Sequence, residues 1–302
     1  MTTMVMTGGT SGFGAITAER LKGGNARVIL GARRPESDVD TFPLDLAELA
    51  SVRRFADAVR EDLGDTPIDA LVLNAGLIRP DADGRTVDGF ETTFAVDHLA
   101  HYLLLRLLLP ALAEDAIVTL TTSGTHDPAT ATSLVPPRHA DAELLAHPDR
   151  DPDRESDARK AGQHAYTAAK LCAVLTVRAV RERHPNLTVL AYDPGQVFGT
   201  GLAEELALPL RIAWKVMGTP VGWPARRFSP TLNTRSAAGN TLADLVFRLE
   251  TPPPGHTYAA VRRGKLAWIE PSVQARDDKL ADILWRDSAR LLGLPTGEDS
   301  AQ

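Results

Sequence analysis

The sequence predicts a doubly wound parallel α/β sheet in a single domain. Three observations predict it. An apolar run, Met4-Val5-Met6, breaks at Thr7-Gly8 into a glycine-rich turn, and a helical pattern begins at once. Short apolar runs then alternate with helical periods along the chain. No repeat or linker divides the 302 residues, 43% of them hydrophobic, which is enough to bury one large core.

The opening turn reads Gly8-Gly9-Thr10-Ser11-Gly12-Phe13-Gly14. Gly8 permits a tight turn, Gly12 lets backbone approach a pyrophosphate, and Gly14 lets the helix pack close to its strand. The helix N-terminus offers free N–H groups and a positive dipole end, with the Thr10 and Ser11 hydroxyls beside it. A turn of this kind can also stand without any ligand.

The helix continues over 15–22 and stops at Gly23-Gly24. Arg27–Ala32 follows as an apolar strand ending at Arg33-Arg34. The end of the second strand in such a fold meets the adenosine ribose, where arginine accommodates a 2′-phosphate and an acidic residue binds the 2′-hydroxyl. Guanidinium and phosphate pair in a bidentate, charge-assisted way. Arg33 therefore favours NADP(H) over NAD(H), against the plainer alternative of a solvated arginine pair. A short polar segment leads to Phe42-Pro43-Leu44-Asp45-Leu46, so the second crossover helix is very short or absent. Residues 47–63 carry a helical period closed by Gly64. Residues 70–73 read as a buried strand capped by Asn74-Ala75-Gly76, small residues that suit a closely approaching ligand.

A long helical pattern, mostly core, covers 87–109 and ends at Pro110. Residues 116–123 form the next strand, with hydroxyls gathered at the end where ligands collect in an open parallel sheet. Turn chemistry accounts for such hydroxyls equally well. Residues 127–157, rich in Pro, Asp and Arg, form an insertion loop too long for a simple connection. The helix over 161–183 holds Tyr166 and Lys170, four apart on one face, either acting jointly or simply exposed. A strand over 187–193 ends at Pro194-Gly195. The irregular stretch 202–236, with Trp214, Trp223, Arg226, Arg227 and Phe228, covers a substrate or packs on the core. A helix over 236–249, a last strand over 257–260 and an amphipathic helix over 279–292 complete the expected elements.

Lys and Arg number 33 against 39 Asp and Glu, a net charge of -6 without a long basic run. No nucleic-acid or anionic-membrane partner is expected. The single Cys172 excludes an internal disulfide framework and fits a reducing cytoplasm. Strand-like residues begin almost at Met1, leaving no room for a signal peptide. The apolar patch 99–113 holds His101 and Arg106 and is too short to span a bilayer. A soluble cytoplasmic protein without a metal site is the expectation.

In order, Thr7-Gly8-x-x-x-Gly12-x-Gly14, Asp45-Leu46, Asn74-Ala75-Gly76, Ser123, Tyr166-x-x-x-Lys170 and Pro194-Gly195 resemble the motifs of the short-chain dehydrogenase/reductase superfamily, over nearly the whole chain. The runs around Ser123 and Tyr166 are similar to those of the protochlorophyllide and retinol-type reductase branch. The resemblance implies a Rossmann-type sheet of about seven parallel strands with helices on both faces. It implies that Gly8, Thr10, Ser11, Gly12, Phe13, Gly14 and Arg33 hold NADP(H). Asp45-Leu46 would meet adenine, Asn74-Ala75-Gly76 line the cofactor, and Pro194, Gly195 and on to Thr200 border the nicotinamide.

The implied activity is hydride transfer between NADP(H) and a small-molecule carbonyl or alcohol. Ser123 would hydrogen-bond the substrate oxygen, Tyr166 would be the acid/base, and Lys170 would acidify the phenol and hold the ribose. A non-redox enzyme or a silent cofactor-sensing protein of the same fold is the alternative. Three features depart from the family pattern. Asp97 stands where asparagine is usual, in a position that holds a relay water toward Lys170. Thr122 competes with Ser123 for the serine role. The interval from Ser123 to Tyr166 is long, which leaves monomer or homo-oligomer open.

Overall fold

The computed structural model describes residues 2–35, 40–130, 132–199 and 229–296, with Ile212 and Val216 between them. Its main strands are β1 (Thr3–Thr7), β2 (Arg27–Ala32), β3 (Thr41–Pro43), β4 (Ile68–Leu73), β5 (Leu112–Thr121) and β6 (Thr188–Asp193). A small separate pair, β7 (Gln196–Val197) and β8 (Leu232–Asn233), precedes β9 (Tyr258–Arg262) and β10 (Lys265–Trp268). The large sheet has eight strands in the order β10-β9-β6-β5-β4-β1-β2-β3. The strands from β3 to β9 in that order pair in parallel, as a doubly wound fold requires.

The eighth strand goes beyond the expected seven. It turns back antiparallel on β9 through Arg263-Gly264, both with positive φ (52° and 75°). That is the backbone a two-residue hairpin with matching twist needs. The apolar run alone points to a strand ending at Ala260, because Arg262 and Arg263 follow so closely.

Side chains alternate cleanly across the sheet. Met4, Met6, Val28, Leu30, Val72 and Tyr192 face helices α1 (Gly12–Gly23) and, later in the chain, Arg235–Val246. Val5, Ile29, Leu71, Leu73, Val118 and Leu120 face the other layer. That layer holds α2 (Leu49–Leu63), α3 (Thr92–Ala111), Ala158–Arg183 and Asp278–Leu291. The helix Ala142–Ala146 is α4, and the last three long helices are α5 (Ala158–Arg183), α6 (Arg235–Val246) and α7 (Asp278–Leu291).

Helix α3 starts later than its sequence pattern. Val87 is 82% exposed, and Glu91 forms the N-cap by accepting the Thr93 and Phe94 N–H groups at 2.9 and 2.6 Å. The helix widens into a π-turn over Ala95–Leu99, where the Ala100 N–H donates to the Ala95 carbonyl. At 20 residues α3 is long and apolar enough to cross a membrane by length and composition, longer than the 99–113 patch. Here 72% of its apolar window is buried, as in a core helix.

Residues 127–157 are more than an open loop. Ala140, Ala142, Leu145 and Ala146 are buried, and α4 packs on α7. The Ala146 carbonyl accepts the Glu91 N–H at 2.9 Å, Thr167 donates its hydroxyl to the Val135 carbonyl at 2.9 Å, and Arg85 pairs with Asp149 at 2.6 Å. No helical period announces this packing because the buried residues come from turns and one very short helix.

Candidate active site

The strand-following motifs lie past the C-terminal ends of β1 to β6, and the strand order switches direction between β1 and β4. Gly8 and Gly12 adopt φ of +67° and +62°, which disfavours any side chain. A Cβ on Gly8 would stand 2.7 Å from the Ala75 nitrogen, and one on Gly14 would collide with the Gly8 carbonyl. Asn74 ties the turn to its neighbours: its amide donates to the Gly8 carbonyl at 3.1 Å and its Oδ1 accepts the Thr121 hydroxyl at 2.9 Å. Ser11 is the N-cap of α1 yet makes no side-chain bond to the helix, and Thr10 and Ser11 are exposed. Phe13, half-buried, points its ring toward Tyr192, 6.4 Å between centroids.

Arg33 is exposed immediately beyond β2. Asp45 is exposed past β3 and accepts the Ala47 N–H at 2.9 Å, whereas the Leu46 side chain is buried in the core. Gly195 has φ of +70° and abuts the Thr231 carbonyl; Asn233 donates to the Pro194 carbonyl at 2.9 Å. Thr200 and most of 202–236, including Trp214 and Trp223, lie outside the described residues.

Helix α5 brings Tyr166 and Lys170 to the end of β5. Lys170 Nζ lies 5.3 Å from the centre of the Tyr166 ring, and Ser123 is among the groups that act on the Tyr166 hydroxyl. The neighbouring Thr122 donates its hydroxyl to the Lys170 carbonyl at 2.7 Å and so anchors α5. Thr122, Tyr166 and Lys170 are buried, and Ser123 is half-buried. Burial pushes the Tyr166 phenol up, the Lys170 ammonium pulls it down, and the Asp97 carboxylate adds to the rise.

Asp97 completes the group. Its Oδ2 lies 2.8 Å from Lys170 Nζ, and its Oδ1 accepts the Leu77 N–H at 2.8 Å. A Cβ on Gly76 would stand 3.2 Å from Lys170 Nζ and 3.3 Å from Asp97 Oδ2, so Gly76 is small because the pair passes beside it. Burial disfavours the Lys170 ammonium, but Asp97 and Tyr166 outweigh it and hold the pKa above its ordinary value. Burial also raises the Asp97 carboxyl, opposed by Lys170.

Two supporting groups carry no motif. Thr7 Oγ1 accepts the Asn74 and Ala75 N–H groups at 2.9 and 3.1 Å, so its own proton goes to His101 Nε2 at 3.0 Å. The other ring nitrogen of His101 then donates to the Asp97 carbonyl at 3.4 Å. Burial and the Lys170 charge push His101 down to about 4, which keeps it neutral in that bridge. Asp193, just before Pro194, is the second: a single acid ending an apolar strand was the signal available for it.

Residues 2–132 match the family model for short chain dehydrogenase. Human retinol dehydrogenase 13 (Homo sapiens) is 30% identical over 314 residues, covering 97% of this chain and 85% of its own. Protochlorophyllide reductase A of Triticum aestivum is 27% identical, over 96% of this chain and 80% of its own. A solved structure of a protein from Mycobacterium Paratuberculosis superposes with a TM-score of 0.66 at 26% identity, covering 98% of this chain and 95% of that one. With the sheet order, the glycine turn and the motif order in agreement, this chain belongs to the short-chain dehydrogenase family of oxidoreductases.

Proposed function

We propose that this chain is an NADP(H)-dependent oxidoreductase that interconverts a small-molecule carbonyl and its alcohol, with Tyr166 as acid/base. The observation that carries the reading is the buried pair of Tyr166 and Lys170 at the end of β5, 5.3 Å from ammonium to ring centre, beside the turn that begins at Ser123. A dinucleotide fits the residues present: the left-handed Gly8 and Gly12, the unbonded N-cap Ser11 and the exposed Arg33 are what pyrophosphate and a 2′-phosphate require. When bound, NADP(H) supplies the hydride.

The chain's own residues handle the oxygen and the proton. Ser123 donates a hydrogen bond to the substrate oxygen and fixes it where charge develops. Tyr166 holds the proton that this oxygen takes in reduction, or removes it in oxidation. An ordinary phenol, with pKa of about 10, is too weak an acid for neutral pH. The Lys170 ammonium favours the phenolate, and its remaining N–H groups are available to ribose hydroxyls. The buried, lone Cys172 supports a cytoplasmic setting as part of the same reading.

NADPH carrying deuterium at the transferable position, incubated with a panel of ketones and aldehydes, tests it. Label in the alcohol product is the expected result. Product without label points to a non-redox step, and cofactor binding without any product points to a silent binder.

A further inference from the structure

The Lys170–Asp97 pair is accompanied by a second ion pair beside the site, between the buried Asp193 and the half-buried Arg262. Asp193 is fully buried at the end of β6, and its Oδ2 accepts Arg262 Nη2 from β9 at 2.7 Å. The same oxygen accepts the Tyr258 hydroxyl at 3.2 Å, while Oδ1 accepts the Gly195 N–H at 2.9 Å. The pair abuts the turn that bears Ser123: a Cβ on Gly124 would stand 3.1 Å from Asp193 Oδ2 and 3.4 Å from Arg262 Nη2. His126 joins the two from another side. Its Nε2 accepts the Ser272 N–H at 3.3 Å, so its Nδ1–H donates to the Ser123 carbonyl at 2.7 Å, and its ring lies 5.4 Å from that of Tyr258.

We infer that Asp193 and Arg262 are a positioning pair for the reaction: they seat Ser123-Gly124 against the Pro194-Gly195 turn and keep the charge near Tyr166 balanced. The inference rests on the oxidoreductase reading for its place in catalysis. The physical reason lies in what each partner does alone. Asp193 fastens the Gly195 N–H, but its negative charge opposes formation of a phenolate at Tyr166. Arg262 offsets part of that charge at contact distance, so the anchor is kept at less cost to the acid. The groups facing Tyr166 are then Lys170 on its own helix, Asp97 on α3, Asp193 on β6 and the Ser123 hydroxyl. Those around Asp193 are Arg262 and Tyr258 on β9, with His126 and Asp127 from the turn.

Asp193→Asn, Arg262→Gln, the double variant and Arg262→Lys in the full chain test the pair. The readout is the onset of Tyr166 ionisation, followed by tyrosine ring-carbon NMR from neutral to alkaline pH and assigned with Tyr166→Phe. Asp193→Asn should bring the onset down and Arg262→Gln should send it up, each by roughly half a pH unit or more. The double variant should return toward the parent, and Arg262→Lys should stay near it. Shifts in one common direction, or none, overturn the proposal, since loss of packing alone has no reason to reverse sign with the charge removed. Should Asp193→Asn not fold, Arg262→Gln against Arg262→Lys decides alone, and equal onsets overturn it. Turnover on the carbonyl panel is scored separately: its absence in the parent protein sinks the oxidoreductase reading while the NMR onsets still judge the pair.

Discussion

Asp97 Oδ2 and Lys170 Nζ stand 2.8 Å apart in a place closed to solvent, one residue from α3 and one from α5. A carboxylate here accepts only, whereas asparagine would both donate and accept. Its charge partly cancels the ammonium on which the acidity of Tyr166 depends. Asp97→Asn should therefore move the pH–rate profile for carbonyl reduction to lower pH. It should also destabilise the fold by about 3 kcal/mol, because Lys170 is left buried without its counter-charge. An unmoved profile in a folded variant would show that the pair does not set the acidity of the phenol.

Tyr166→Phe removes the hydroxyl and little else. Turnover should fall by ~10²- to 10⁴-fold, the usual worth of a positioned general acid, with NADPH affinity nearly unchanged. Lys170→Ala should weaken both, since the proposed role of its ammonium spans phenol and ribose. Steady-state kinetics with cofactor titration separate the two, and wild-type turnover in Tyr166→Phe would move the proton donor elsewhere.

Arg33→Asp tests cofactor choice. A lost charge-assisted contact to a 2′-phosphate is worth about 1.5–3 kcal/mol, so NADPH binding should weaken roughly 10- to 100-fold. NADH binding should change far less. Equal losses for the two cofactors would return Arg33 to the role of a solvated surface residue.

Buried histidines make the fold acid-sensitive. Burial, the largest cause in each case, pushes His98 down to about 3 and His101 and His164 down to about 4, from an ordinary 6.5. Between those values the unfolded chain binds protons that the folded chain refuses, so stability is lost as pH falls from about 6.5 toward 4. Glu91 acts in the opposite sense. Burial raises it to about 7 against the N–H groups it caps, so its contribution is present below 4.5 and is lost as pH rises through 7. The net acid slope should reach about 2 to 3 kcal/mol per pH unit, and Glu91→Gln should steepen it. Urea unfolding across this range measures both, and a flat curve would contradict the buried neutral histidines.

Local motifs were legible in the sequence because their chemistry is contained in a few neighbouring residues. The glycine turn, Asn74-Ala75-Gly76, and the Tyr166–Lys170 spacing each describe one strand end or one helix face. Ser123 and Thr122 could not be told apart in the sequence; the Lys170 carbonyl that Thr122 bonds supports Ser123 in the proposed role. The bridges between elements could not be read in this way. Thr7 and His101 are 94 positions apart, and Asp193 and Arg262 are 69 apart; neither pair has a spacing rule. The packing of 127–157 stayed hidden for a related reason, since turn-borne contacts leave no period.

The π-turn of α3 has a consequence for how this chain tolerates change. Ala95–Leu99 holds one residue more than a regular helical turn would, and each residue of an α-helix accounts for about 100° of rotation. Removing one residue from this turn would leave a smoother helix with better local geometry, and a different protein. Asp97 would no longer face Lys170 while Leu103, Leu104 and Leu105 kept the core, since the two halves of α3 are phased for separate tasks. A single-codon deletion here is thus a functional lesion disguised as a local improvement, whereas a like deletion at the exposed Gly89 bend, just upstream, would leave that phasing intact.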